Sequence, residues 1–217
     1  MPGYFLGITT VENETGLALI KDDKVLYEIV AETSAHHNET IFPFLKNGLD
    51  FLGITTKDIK GIGVVIGPGM FTSLRVGLAC AIGLAIVDNI PIKGINTLDA
   101  LVISLPQILL DEKRTIIPVL DIRRNEVYFR IYQGIKPVSE PTIMKPEEFC
   151  KKIPENAIVF GSGLIRYQDV IKKHSHNNLL IYNRIYPIPS QVAFYAAKCI
   201  LNFDVSDLDK LVPIYIR

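Results

Sequence analysis

Apolar and polar positions change rhythm several times along this chain, and the changes predict its elements. Tyr4 to Thr10 is an apolar run of strand length, and after a polar turn at Glu12-Asn13-Glu14 a second strand runs from Leu17 to Lys21. Asp22-Asp23 predicts another turn, and Val25 to Ala31 a third strand of alternating character. The period then lengthens. Ile41, Leu45, Leu49 and Leu52 recur at helical spacing and stop at Gly53, with Pro43 marking a helix start or a kink. Ile62 to Ile66 predicts a buried strand, Gly67-Pro68-Gly69 a turn, and Phe71 to Val87 a long helix. A strand at Ile92 to Ile95 and a helix from Thr97 close the first half.

The second half repeats this order. Ile116 to Ile122, Val127 to Tyr132 and Lys136 to Ile143 predict three strands, Pro146 to Lys152 a helix, and Ile158 to Phe160 a strand ending in Gly161-Ser162-Gly163. A helix to Lys173, a strand at Leu179 to Ile181 and a helix from Ser190 to Leu201 follow. Aligning Thr9 with Asp121 superposes the opening strands and their turns, so the chain reads as an internal duplication. With no linker rich in Gly, Pro or Ser, the boundary falls between Thr97 and Thr115. The expected division is a first lobe at 1–100 and a second at 101–217, with the final helix, about 190–203, free to pack back onto the first.

Charge narrows the functions. The 217 residues carry 23 Lys and Arg against 23 Asp and Glu, a formal net charge of zero. That argues against a broad basic field for nucleic acid, though a local basic patch stays open. Cys80, Cys150 and Cys199 are far apart among apolar neighbours and predict buried, reduced thiols. The first residues show no signal-peptide pattern, and the most apolar stretch, Val76 to Val87, is too short to span a bilayer. The expected location is the cytoplasm, with no membrane partner.

Duplicated βββαβαβα units are the plan of the actin-like ATPases and sugar kinases, a ribonuclease H-like fold. There an acid at the end of the first strand holds a metal and hairpin turns wrap the phosphates of ATP. Here Thr9 stands at that strand end, and a hydroxyl cannot supply the charge a hard cation demands. The following turn, Val11 to Gly16, has a single glycine. Asp121 keeps the carboxylate in the second half, where a turn or capping role is the favoured reading. Gly67 to Arg75 joins a strand to a helix, which can point N–H groups at an anion, but it lacks a P-loop lysine and dinucleotide spacing. Gly67, Gly69, Thr72 and Arg75 are therefore weak nucleotide candidates, against a tight turn capped by Thr72 or Ser73. His36-His37 with Glu39 could form a metal cluster, but polar residues at a helix start are favoured; His174-Ser175-His176 reads as a solvated helix end. No catalytic set and no metal site assemble from this sequence.

Apolar surface is the positive signal. From Phe71 to Val87 the only charged side chain before the end is Arg75, and a helix apolar all round must be covered all round. Gly77, Ala81 and Ala85, with Cys80 alongside, form a small-residue stripe. In the earlier helix Ile41, Leu45, Leu49 and Leu52 make one stripe, and Phe44, Gly48 and Phe51 another. The expected partner surface is Asn38, Ile41, Phe42, Phe44, Leu45 and Gly48 on one helix and Phe71, Leu74, Gly77, Leu78, Ala81, Ile82 and Ala85 on the other. Ala81→Glu or Gly77→Leu is then expected to break partner binding without unfolding the chain. Full burial of both helices within one chain is the alternative.

Four segments resemble one bacterial family, that of the tRNA threonylcarbamoyladenosine biosynthesis protein TsaB. Gly67-Pro-Gly-Met-Phe-Thr-Ser-Leu-Arg-Val-Gly-Leu-Ala79 is similar to its GPGSFTGLRIGLA signature, departing at Met70 and Ser73. Asp121 to Tyr128 resembles its DARRGEVY segment, His37 to Pro43 its HSE…LP run, and Pro213 to Arg217 its closing P-x-Y-x-R. The resemblance implies a two-lobed actin-like fold without activity or cofactor of its own. It implies a TsaD-like catalytic partner that modifies ANN-decoding tRNAs, packed against helices at about 38–52 and 71–87, with a TsaE-like ATPase joining and tRNA met only indirectly. Met70 and Ser73 leave open whether an adenine nucleotide is touched at the partner interface. A self-contained ATPase or metallopeptidase-like enzyme is the alternative, and a homodimer through the same surface is equally compatible with the stripes.

Overall fold

The computed structural model describes residues 3–33, 36–174, 180–182 and 186–216. They form two compact units, Met1–Ala100 with Pro187–Arg217, and Leu101–Tyr186. The last 31 residues, which include the final helix left free to pack back, cluster with the first unit, where that helix buries its apolar face on the sheet.

In the first unit, β1 (Tyr4–Thr9), β2 (Glu14–Lys21) and β3 (Lys24–Glu32) form an antiparallel meander. Helix α1 (His37–Leu52) leads to β4 (Ile59–Gly67), parallel to β1, and α2 (Phe71–Asp88) to β5 (Ile92–Asn96), parallel to β4. The sheet order is β3-β2-β1-β4-β5. Period-2 alternation divides its faces. Leu6, Ile8, Leu17, Leu19, Ile62 and Val64 pack with Ile41 and Leu45 of α1 and Leu78, Ala81 and Ala85 of α2. Phe5 and Ile20 point the other way, onto Ala193 and Ala197 of the closing helix, Pro189–Leu201.

Helix α1 starts six residues before Pro43, which sits inside it without ending it. Pro43 is exposed, so the carbonyl it leaves without an intrahelical donor can be met by water. Gly53, left-handed at φ 63°, closes the helix by donating to the Asp50 and Leu49 carbonyls. Helix α2 runs 18 residues, long and apolar enough by those two measures to cross a membrane, but 39% of it is buried in the unit.

The second unit opens with α3 (Thr97–Ile103), shared with the first, and its strands are β6 (Thr115–Asp121), β7 (Val127–Phe129), β8 (Tyr132–Gln133), β9 (Lys136–Pro137), β10 (Thr142–Met144), β11 (Ile158–Phe160) and β12 (Leu180–Tyr182). Its main order, β10-β7-β6-β11-β12, reproduces that of the first sheet. Two expected strands are each split. The Ser139 hydroxyl accepts from the Ile131 N–H (2.9 Å) and the Ser139 carbonyl from Arg130 Nε (2.8 Å), so side chains replace the ladder there. The expected helix to Lys173 is also broken, into α5 (Ser162–Arg166) and α6 (Gln168–His174). Helix α4 (Pro146–Cys150) packs Phe149 on Phe129, ring centroids 4.7 Å apart, and the closing helix Pro189–Leu201 is α7. Cys80 and Cys150 are buried, but Cys199 is partly exposed near the end of α7, a correction to the expected burial of all three.

Candidate partner face and strand-end turns

Helix α2 is apolar on every side, so its pattern cannot say which side faces home; the structure can. Leu74, Gly77, Leu78, Ala81 and Ala85 are buried against their own sheet, as are Ile41, Leu45 and Gly48 of α1. The small-residue stripe serves this packing. A Cβ at Gly77 would lie 3.2 Å from Thr10 Cβ and overlap its hydroxyl, so the absent side chain lets α2 lie on the end of β1. Phe44 and Ile82 are half-buried, and Asn38, Phe42 and Phe71 are exposed. The face left outward holds residues outside the expected set. Ile86 is 66% exposed, Val87 80% and Phe51 73%, with Ala79 and Gly83 also exposed on α2. Arg75, Ala79, Gly83 and Ile86 recur at helical period, turned away from the buried Leu74, Leu78, Ala81 and Ala85. Along α1, Phe42, Pro43, Leu49 and Ile54 line a shallow apolar groove, with Lys46 and Asp50 3.9 Å apart in an exposed pair.

Beneath the outer face lies a buried polar joint. His37 Nε2 is 2.8 Å from Ser73 Oγ, whose hydroxyl donates to the Glu12 carbonyl at 2.9 Å. Ser73 must therefore accept from His37, which fixes the proton on Nε2 and leaves Nδ1 to accept from the Thr15 hydroxyl at 2.8 Å. Desolvation lowers the pKa of His37 below its ordinary 6.5, consistent with this neutral tautomer. One expectation is corrected: Ser73 does not cap α2, whose N-cap Met70 makes no side-chain cap bond. His37 does stand at the start of α1, but buried, as an internal tie. His36 is exposed, 3.6 Å from Glu39, and among the described residues no group of three His, Cys, Asp or Glu is placed to hold a metal.

The glycine loop before α2 spends its polar groups internally. Met70 N–H donates to the Val11 carbonyl (2.8 Å), Thr97 Oγ1 to the Pro68 carbonyl (2.7 Å) and Ile214 N–H to the Ile66 carbonyl (2.7 Å). Gly67, at φ 112°, could not carry a side chain, since a Cβ would lie 2.6 Å from the Ile214 carbonyl. Gly69 is exposed beside Val11, and Thr72 is exposed. Arg75 stacks on Phe71, 3.6 Å from its ring centroid, and donates from Nε to Tyr215 OH at 3.0 Å.

At the turn after β1, Thr9 is fully buried with its hydroxyl unpartnered, and Glu14 is 1% exposed with both carboxyl oxygens unpartnered. Burial pushes the Glu14 carboxyl from its ordinary 4.5 to about 8, against the nearby amides of Val11, Glu12 and Glu14, which miss hydrogen-bond geometry. The acid is neutral at pH 7. The turn after β6 is open: Asp121 Oδ1 accepts from the Arg123 N–H (2.9 Å) and Tyr167 OH (3.2 Å), and Arg123, Arg124 and Asn125 are exposed. The expected solvated end at 174–176 lies outside the described side chains.

A family model described as TsaD, tRNA N6-adenosine threonylcarbamoyltransferase, matches residues 28–179. The chain belongs to the TsaD family. Within it the chain is TsaB- or YeaZ-like. The tRNA threonylcarbamoyladenosine biosynthesis protein TsaB of Bacillus subtilis is 26% identical, over 98% of this chain and 93% of that protein. A solved Pseudomonas aeruginosa protein described as similar to peptidase YeaZ superposes with a TM-score of 0.85 at 19% identity, covering 99% of this chain and all of that one. A polyphosphate/ATP-glucomannokinase from an Arthrobacter strain superposes at 0.50 and 12% identity, over 92% and 99% of the chains. These likenesses fix the fold as two-lobed and actin-like, and the family ties the chain to tRNA threonylcarbamoyladenosine biosynthesis.

Proposed function

We propose that the chain is a non-catalytic cytoplasmic subunit that binds and activates a TsaD-like catalytic subunit through the outer faces of α1 and α2, with a TsaE-like ATPase joining the assembly. The observation that carries this is the exposure of large apolar side chains, Phe42 and Phe51 on the two flanks of α1 and Ile86 and Val87 at the end of α2, on helices whose inner faces are already satisfied. Large apolar side chains left exposed on neighbouring helices mark protein interfaces. A helix with glycine at its outer surface, as at Gly83 where a Cβ would meet nothing within 4 Å, leaves room for a second helix to approach closely. Thr9 supports the absence of catalysis, because it puts a buried hydroxyl where this fold's ATPases need a metal-binding acid. An adenine nucleotide, where the assembly holds one, belongs to the junction and not to this chain alone.

Reconstituted tRNA modification tests the reading. The TsaD-like subunit with tRNA, an activated threonylcarbamoyl donor, ATP, magnesium and the TsaE-like ATPase should turn over only when this chain is added, and the chain alone should be inert. Turnover of ATP or tRNA by the purified chain alone would contradict it.

A further inference from the structure

The zero net charge hides a division. Residues 101–186, the second unit, hold thirteen of the 23 lysines and arginines but nine of the 23 acids, and the rest of the chain holds ten and fourteen. The second unit is thus net positive by four and the first net negative by four. Part of that positive charge gathers at the turn after β6. Arg123 and Asn125 are both left-handed there, at φ 62° and 58°. With Asp121, Arg166 and Tyr167 they line an open polar depression of about 520 Å³, and Arg124 is exposed on the same turn.

The single carboxylate of this depression is engaged in holding it together. Asp121 Oδ1 takes the Arg123 N–H and the Tyr167 hydroxyl, and burial, followed by the Asp121 charge, raises the pKa of the Tyr167 phenol so that it stays a donor. Among the described residues no carboxylate lies within ion-pair distance of Arg123, Arg124 or Arg166. Three exposed guanidinium groups are thus left with donors to spare.

We propose that this depression binds the phosphodiester backbone of RNA. Guanidinium forks match phosphate oxygens two at a time, and arginines spread between a turn and the end of α5 suit charges spaced along a strand. A nucleoside triphosphate suits the place less well. Asp121 opposes several negative charges gathered at one point, and the turn has no glycine wrap or lysine for a terminal phosphate. A diester carries one charge per nucleotide, which the arginines outweigh. The proposal rests on the family's tie to tRNA modification and adds a direct RNA contact to a chain expected to meet tRNA only through its partner.

Fluorescence anisotropy of unmodified tRNA across a salt series tests it, with the chain alone and in the assembly with its TsaD-like partner. Replacing Arg123, Arg124 and Arg166 together by Gln should weaken tRNA binding roughly tenfold or more at low salt. It should also flatten the slope of log affinity against log salt by about 2, near 0.7 to 0.9 for each phosphate that is no longer neutralised. Replacing the three by Lys should retain most of the slope. Solution mass should show the Gln variant still assembling with the partner, which separates failure of the RNA site from failure of the subunit reading. Unchanged tRNA affinity and slope in the Gln variant, or no measurable tRNA binding by the wild-type assembly, would overturn the proposal. Saturable ATP binding that disappears in the Gln variant, without any change in tRNA binding, would overturn it too.

Discussion

After β1 the chain turns through Val11, Glu12 and Asn13; after β6, at the same place in the same sheet order, it turns through Ile122 to Asn125. Every carbonyl of the first turn is claimed, Val11 by the Met70 N–H, Glu12 by the Ser73 hydroxyl and Asn13 by the Thr33 N–H. The second turn instead exposes three polar side chains and keeps one aspartate engaged. One duplicated scaffold thus supports two uses. Where the first copy has Thr9, its turn forms a joint that seats α1 and α2; where the second has Asp121, its turn is exposed.

Breaking the joint from the helix side should have the largest effect. Ala81 is fully buried, so Ala81→Glu should cost about 4 kcal/mol or more by denaturant unfolding, as an unpaired buried charge does. Gly77→Leu should also unfold the first unit by driving a side chain into Thr10. Both outcomes differ from the expectation that these residues face a partner, and an unchanged unfolding midpoint in either variant would restore it.

Glu14 should give the next largest effect. An unfolded chain releases this proton above pH 4.5 while the folded chain holds it to about 8, so stability should fall as pH rises across that interval and level off above it. Glu14→Gln should remove the slope and stabilise the chain at pH 8 by about 2 kcal/mol, the titration gain being offset in part by a buried amide. An unaltered slope would show that the carboxyl is solvated. His37 acts with the opposite sign. Below pH 6.5 the unfolded chain takes up a proton before the folded one does, so stability should fall with pH there, and His37→Gln should abolish that fall.

Ser73→Ala should cost about 1–3 kcal/mol, since it removes the hydroxyl that accepts from the His37 ring and donates to the Glu12 carbonyl. At the open turn, Asp121→Asn should change stability by less than about 1 kcal/mol, because an amide oxygen still accepts from Arg123 and Tyr167. Equal costs at the two turns would erase the contrast between them.

Much of this was legible in the sequence. Period-2 runs and glycine stops located the elements of the first unit to within a few residues, and aligning Thr9 with Asp121 matched strands that occupy equivalent positions in the two sheets. The inward side of α2 was not legible, since an all-apolar helix has no preferred face until Thr10 and Gly77 are seen to meet. Nor was the burial of Glu14 and His37, which depends on contacts between segments separated by up to 36 residues. The split strands around Ser139 were hidden because a side-chain hydroxyl substitutes for ladder bonds, which local pattern does not encode. For the closing helix the sequence left a return to the first unit open, and the partners that hold it there, Phe5 and Ile20 against Ala193 and Ala197, are a long-range pairing that periodicity does not show.

The most direct measurement is the solution mass of the chain mixed with a TsaD-like subunit, for the wild type and for Ile86→Glu. Ile86 lies on the outward face and touches no core, so the variant should unfold at the same temperature within about 2 °C. A one-to-one complex that forms with the wild type and fails to form with the folded variant is the predicted result. A complex that survives the substitution, or a wild-type chain that pairs only with itself, would contradict docking through α1 and α2.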